Sequence, residues 1–291
     1  MNKIQPITTL RDTAEIEKEL KNSKEPIILT KNGYPDLIVL SPEQYEDLSR
    51  GGSISSPSKG NSTLQKELPS FSSAQDNPLG FVKVRSTTFP ISVGGVEKNK
   101  LSLIKTVEQA ERDGVKVLVL PELCLSGYTC GDLFLSKALQ HRVEVAIREI
   151  TLWSESHSIF FVFGAPLSQG NCLFNCAVAI CHGEILGVIP KSYLPTYGEF
   201  YEKRHFTPAD ETNRLIEIDG HSFRFGKKFI FVDKNYLALK IGIEICEDVW
   251  VPDTPSTAAA LAGATVLLNL SASNEVVGKK EYRENLVSST S

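Results

Sequence analysis

From about Gly80 onward, short runs of branched and aromatic residues alternate with longer stretches of helical periodicity. This alternation constrains the fold more than any other feature of the chain. Lys116-Val117-Leu118-Val119-Leu120 reads as a buried strand, and Ile159-Phe160-Phe161-Val162-Phe163-Gly164 as another. Phe81 to Val84, Cys172 to Ile180, Glu184 to Pro190, Leu239 to Ile245 and Thr265 to Asn269 read as further strands. Between them, Lys100 to Asp113 is predicted as a helix with Leu101, Leu103, Ile104, Val107 and Ala110 as its apolar positions, and a second helix is predicted near 136–157. Helices that alternate with strands imply an α/β fold with layers of helix covering sheet.

Four of these strands run into residues with chemistry: Glu122, Lys191, Cys246 and Ser271. Ligand sites of α/β folds gather at strand ends. Taken singly, each residue has an ordinary explanation: a cap or surface carboxylate, a solvated lysine, a buried thiol. Together they make a coherent amide-cleaving set. A cysteine near neutral pH is mostly thiol and needs a base or a cation beside it. A carboxylate can take the thiol proton as sulfur attacks a carbonyl, give it to departing ammonia, and then activate water against the thioester. An ammonium can hold sulfur and carboxylate in place and offset developing oxyanion charge.

The chain has 291 residues, 41% of them hydrophobic, and a formal net charge of -4. That gives no reason to expect a nucleic-acid or membrane surface over the whole chain. No apolar run approaches the roughly 18 residues of a membrane span. Met1 to Pro6 lacks the apolar core of a signal peptide, so the cytoplasm is the expected location. The six cysteines are therefore expected to be reduced thiols. Cys172, Cys176, Cys181 and His182 match no common zinc spacing and fall in a strand-like stretch, where they read as buried small side chains rather than metal ligands.

Before Gly80 the text changes character. Residues 51–78, beginning Gly51-Gly52-Ser53-Ile54-Ser55-Ser56-Pro57, are predicted as a flexible linker, because they offer too little apolar surface to offset ordering entropy. Residues 1–50 predict a small α+β unit. It has a strand at Lys3 to Ile7, a helix from Thr9 to about Ser23, strands at Pro26 to Thr30 and Asp36 to Leu40 around an Asn32-Gly33 turn, and a helix opened by Ser41-Pro42. Ile7-Thr8-Thr9-Leu10-Arg11, Glu25-Pro26-Ile27-Ile28-Leu29-Thr30-Lys31-Asn32-Gly33 and Leu40-Ser41-Pro42-Glu43-Gln44-Tyr45 resemble the Phd/YefM antitoxin family. The resemblance implies a homo-oligomer that binds operator DNA and neutralises a toxin, with Arg11 at a DNA-contacting position and Lys31 in the hairpin loop. Both can equally be solvated surface cations. The linker and a different domain stand where that family has its toxin-binding tail.

The second segment, 79–291, resembles the nitrilase (carbon–nitrogen hydrolase) superfamily in the order Leu120-Pro121-Glu122, Pro190-Lys191 and Glu244-Ile245-Cys246-Glu247-Asp248. Ser126-Gly127-Tyr128-Thr129-Cys130-Gly131-Asp132, Tyr197-Gly198-Glu199-Phe200-Tyr201-Glu202 and Asn269-Leu270-Ser271-Ala272-Ser273-Asn274 narrow it to the glutaminase domains of glutamine-dependent NAD+ synthetases. The resemblance implies an α-β-β-α sandwich and glutamine as substrate. It makes Glu122 the general base, Lys191 the supporting cation and Cys246 the nucleophile. It makes Glu199 the carboxylate that orients the lysine, and Tyr197, Ser273 and Lys279 the glutamine-binding residues. No cofactor is implied for the hydrolysis. ATP and NAD-adenylate would enter only through a synthetase domain, whose Ser-Gly-Gly loop is not in this sequence. Ser291 falls inside the expected hydrolase domain, and Met1 is the only methionine, so a truncated domain in a fusion or joined reading frame is expected. Three functions are weighed: a glutamine amidohydrolase serving NAD+ synthesis, a DNA-binding antitoxin-like regulator with an inert hydrolase fragment, and an amidase for another amide.

Overall fold

A computed structural model describes residues 80–290 and the strands at 3–6, 27–31, 34–39 and 70–71. The chain divides into two compact units, Met1–Lys66 and Glu67–Ser291.

In the first unit, β1 (Lys3–Pro6) runs parallel to β2 (Ile27–Lys31), which forms an antiparallel hairpin with β3 (Tyr34–Val39). The ladder reaches Lys31, opposite Tyr34, so Lys31 ends a strand and is not in the loop as predicted. Arg11 and the predicted helices after Thr9 and Ser41 lie outside the described residues.

The second unit is built on two sheets. The larger contains β5 (Val84–Ser86), β6 (Val117–Val119), β7 (Phe160–Gln169), β8 (Cys172–Cys181), β9 (Glu184–Pro190), β10 (Arg214–Ile218) and β11 (His221–Phe225), in the order β10-β11-β9-β8-β7-β6-β5. Parallel and antiparallel pairs mix: β5, β6 and β7 are parallel, whereas β7, β8 and β9 form an antiparallel meander. The smaller sheet has the order β14-β13-β12-β4, with β4 (Ser70–Phe71), β12 (Phe231–Asp233), β13 (Lys240–Ile245) and β14 (Val266–Leu270). Ser70 and Phe71 pair with Val232 and Asp233, which corrects the linker reading of 51–78 at these two residues. Leu68-Pro69-Ser70-Phe71 is where the Ser-rich text regains apolar residues, and the edge of β12 offers it backbone partners.

Alternation along β7 shows how the layers form. Phe160 and Val162 join Ile241, Ile243, Ile245, Leu268 and Leu270 in a core between the sheets. Phe161 and Phe163 point the other way, into a second core with α1 (Val96–Arg112) and α2 (Lys137–Trp153). Across the smaller sheet, α3 (Pro255–Leu261) packs on β13, where Gly242 leaves room for Ala259. The result is helix, sheet, sheet, helix.

Several boundaries differ from expectation. The strand predicted from Phe81 begins at Val84, and Phe81 is exposed. The first helix begins at Val96 and buries Val96, Asn99, Leu103, Val107 and Ala110, leaving Leu101 in solvent. Asn99 escapes an apolar-periodicity reading because it is buried through hydrogen bonds: it donates to the carbonyls of Ser92 and Leu125 and accepts from the Ser92 N–H. The β10–β11 hairpin is absent from the sequence reading, although its Asp219-Gly220 turn, with φ of 47° and 75°, carries the expected residue pair. His182-Gly183, with φ of 50° and 77°, turns β8 into β9 in the same way. That turn starts the strand delivering Lys191.

Candidate active site

Glu122, Lys191, Cys246 and Ser271 follow β6, β9, β13 and β14, which places two on each sheet. Glu122 lies in a tight loop held by backbone bonds from Gly164 N–H to Pro121 and from Leu125 N–H to Gly164. Gly164 is required there, because a Cβ would lie 2.0 Å from Leu123 N and 2.6 Å from the Glu122 backbone. Gly164→Ala is therefore expected to push the Glu122 loop outward and cost about 1–3 kcal/mol of stability. Urea denaturation checks this, and an unchanged midpoint would refute it.

Lys191 is 1% exposed and Glu122 2%. Lys191 Nζ donates to Glu122 Oε1 at 2.6 Å and to Glu202 Oε1 at 2.6 Å. Burial works against the ammonium, but Glu122 and Glu202 more than offset it and raise the lysine above its ordinary pKa. Lys191 is thus a fixed cation between two carboxylates, not a proton shuttle at neutral pH. The second Glu122 oxygen accepts the Ala272 N–H at 2.9 Å, which ties the Glu122 loop to the end of β14.

The carboxylate that orients Lys191 is Glu202, and the expectation for Glu199 is corrected. Glu199 is exposed and accepts from Asn274 Nδ2, and its own backbone N–H, followed by that bond, holds its carboxyl below the usual range. Glu202 opens a short 3-10 turn, is 5% exposed, and accepts the Tyr128 hydroxyl at 2.7 Å. Burial raises its carboxyl pKa; Lys191 opposes the rise and Glu122 adds to it. Asn175 on β8 donates to Glu122 at 2.8 Å and to Glu202 at 3.5 Å, bridging both carboxylates. The sequence reading assigns Asn175 no role, although one amide in the apolar run Leu173-Phe174-Asn175-Cys176-Ala177 is a usable signal.

Cys246 is 6% exposed and begins a 3-10 turn with φ of 45°, a conformation non-glycine residues seldom take. Burial pushes its thiol up to about 12, Glu122 adds to the rise, and Lys191, Ser271 and the Ala272 N–H pull it down. The resting group is a thiol, and the same Ala272 N–H lies against both Cys246 and Glu122. Asp248, two residues on, is 1% exposed; burial pushes it up to about 7 against opposing bonds from the Ile245 and Tyr193 N–H groups.

Of the residues expected to bind substrate, Ser273 lines a cleft beside Glu122, whereas Tyr197 bonds to Glu247 and Lys279 to Asn274. The cleft is open, about 610 Å³, and is lined also by Tyr128, Ala272 and Arg283. The Tyr197 hydroxyl donates to both oxygens of Glu247, beside Cys246, at 3.0 and 2.9 Å. Lys279, the first residue of α4 (Lys279–Thr290), donates to Asn274 and lies 5.4 Å from the Trp250 ring centre. Glu247, next to Cys246 and bonded to Tyr197, is a further carboxylate that the sequence reading leaves unassigned. None of the six cysteines forms a disulfide. Among the described residues, no three His, Cys, Asp or Glu side chains are grouped to hold a metal ion, and no helix is long and apolar enough to cross a membrane.

Comparison with known proteins bears on residues 80 onward. The carbon–nitrogen hydrolase family matches residues 83–289. A glutamine-dependent NAD(+) synthetase of Mycobacterium leprae is 43% identical over 212 residues, covering 73% of this chain and 31% of the relative. One from Aquifex aeolicus is 31% identical over 198 residues, covering 68% of this chain and 31% of the relative. The chain thus spans about a third of the length of these relatives. The crystal structure of a glutamine-dependent NAD(+) synthetase from Cytophaga hutchinsonii superposes with a TM-score of 0.62 at 28% identity, covering 71% of this chain and 33% of that one. An amidase from Nesterenkonia sp. shares the fold, with a TM-score of 0.54 at 20% identity and coverage of 72% and 71%. The family match leaves out residues 1–50, and the DNA-binding, toxin-neutralising reading of that segment gains no support from it.

Proposed function

We propose that this chain, which belongs to the carbon–nitrogen hydrolase family, releases ammonia from the side-chain amide of L-glutamine. The observation that carries the proposal is the buried Glu122–Lys191 pair, 2.6 Å apart and joined to Cys246 through the shared Ala272 amide. The relatives' identity as glutamine-dependent NAD(+) synthetases supports glutamine as the amide.

In this reading Glu122 takes the Cys246 proton as sulfur attacks the amide carbon. A thiol held up to about 12 makes a nearby base necessary. Lys191 stays protonated, keeps Glu122 oriented, and offsets charge on the amide oxygen. Glu122 passes the proton to departing ammonia, leaving a γ-glutamyl thioester on Cys246. It then activates water, which releases glutamate and restores the thiol. Tyr197, Glu247, Ser273 and Lys279 supply the hydroxyls, carboxylate and ammonium suited to an amino acid's two charged ends. Lys279 gives a single-point contact to a carboxylate rather than a fork. The hydrolysis calls on no cofactor. The chain takes the glutamine-hydrolysing share of the synthetase activity, while ATP and the NAD-adenylate acceptor belong to the remainder.

The test is ammonia and glutamate production from L-glutamine, with a panel of simple aliphatic amides alongside, and mass spectrometry for the thioester on Cys246. The expected result is a strong preference for glutamine and a trapped γ-glutamyl adduct. A better aliphatic amide would point instead to an amidase for another amide.

A further inference from the structure

The two halves of the proposed machinery sit on different sheets: Lys191 leaves β9 of the larger sheet, and Cys246 leaves β13 of the smaller. Their separation therefore depends on what joins the sheets at this end. Asp248 is buried between them. Its Oδ1 accepts the N–H groups of Ser192 and Tyr193 at 3.1 and 2.8 Å, in the two residues that follow Lys191. Its Oδ2 accepts the Ile245 N–H at 3.0 Å, in the residue before Cys246. The Tyr193 hydroxyl reaches the Asp253 carbonyl at 2.9 Å, so the same segment is tied a second time to the chain beyond the nucleophile. Lys191 itself is anchored through its backbone, donating to the Asn175 carbonyl and accepting from Ala209, both at 2.8 Å.

We propose that Asp248 is a positioning residue whose carboxylate clasps the Lys191 segment to the Cys246 turn and so sets the lysine, and Glu122 through it, against the thiol. The proposal rests on the amide-hydrolase reading of Glu122, Lys191 and Cys246. Both oxygens are engaged, Oδ1 by Ser192 and Tyr193 and Oδ2 by Ile245 and, at 3.4 Å, by Ser192 as well. Asparagine keeps one oxygen for Ser192 and Tyr193 but turns an NH2 toward the Ile245 N–H, donor against donor. An error of about 1 Å between reacting groups costs about 100-fold in rate.

The experiment compares the full chain with its Asp248→Asn variant. It records kcat and KM for ammonia release from glutamine, melting temperature, and iodoacetamide labelling of Cys246 relative to exposed Cys172 by mass spectrometry. The expected result is a folded variant in which kcat falls by about 100-fold with KM within about twofold, and in which Cys246 labelling falls relative to Cys172. A folded variant that labels and turns over like the wild type overturns the proposal. So does a loss that only tracks the unfolded fraction, which is what a purely structural clasp would give. If Asp248→Asn does not fold, Asp248→Ser is read by the same ratio. Unfolding of both, while Cys246→Ala folds, assigns Asp248 to folding and overturns its positioning role. A wild type inert toward glutamine would sink the glutaminase reading alone, since the labelling ratio still tests the clasp.

Discussion

Cys246→Ala is expected to abolish ammonia release, a fall on the order of 10⁶-fold, as for loss of an enzyme nucleophile. The nearest other thiols are turned away: Cys124 lines the same cleft but is buried against the Gly164 carbonyl, and Cys130 is buried against the Ser126 carbonyl. Alanine's missing sulfur leaves only a small void, and the backbone at φ 45° keeps a non-glycine residue, so the variant should melt close to the wild type. The measurement is glutamate-coupled turnover at matched folded concentration. Residual activity within tenfold of the wild type would remove Cys246 from the mechanism.

Lys191→Met should damage both activity and stability. The methionine fills the buried volume but leaves Glu122 and Glu202, each 2.6 Å from the lost ammonium, facing one another without a cation. Breaking a buried pair from one side costs about 3–5 kcal/mol. Activity should fall by at least about 100-fold, the usual effect of removing one electrostatic stabiliser. The pH dependence has a definite sign. Burial already raises the Glu202 carboxyl while Lys191 holds it down, so the variant's Glu202 rises further above its unfolded value. A carboxyl raised in the folded state favours folding below its unfolded pKa, about 4.3, and loses that contribution as pH rises through the folded value. The deficit relative to wild type should thus be greatest at mildly alkaline pH and shrink on acidification. Melting curves at pH 5 and 8 that both match the wild type would disprove the ion-pair assignment.

Much of this site is legible in the amino-acid order, because its chemistry sits at strand ends whose strands announce themselves. Pro121-Glu122, Pro190-Lys191 and Ile245-Cys246 each follow an apolar run, and the layered fold brings such ends together. The choice between Glu199 and Glu202 is not legible in the same way. Both lie in one short polar stretch after Lys191, and only the 3-10 turn at Glu202–Arg204 and the Tyr128 hydroxyl decide which one turns inward. Asn99 escapes detection for a related reason: it is buried by hydrogen bonds to residues outside its helix, which apolar periodicity does not register, whereas Asn175 leaves only the signal of one amide in an apolar run. The Asp219-Gly220 hairpin is within reach of turn chemistry, whereas the addition of Ser70–Phe71 to the smaller sheet is not, since it depends on an unfilled edge at β12.

The sequence by itself determined the alternation of strands and helices, the three residues proposed for a thiol-based amide hydrolysis, and their order along the chain. These follow from local periodicity and from the chemistry of single side chains. Tertiary structure alone decided which carboxylate neutralises Lys191, what pushes the Cys246 thiol above the ordinary cysteine range, and how Asp248 joins the two sheets. Each of those depends on burial and on bonds between residues far apart in the chain, and only the packed chain brings them within hydrogen-bonding distance.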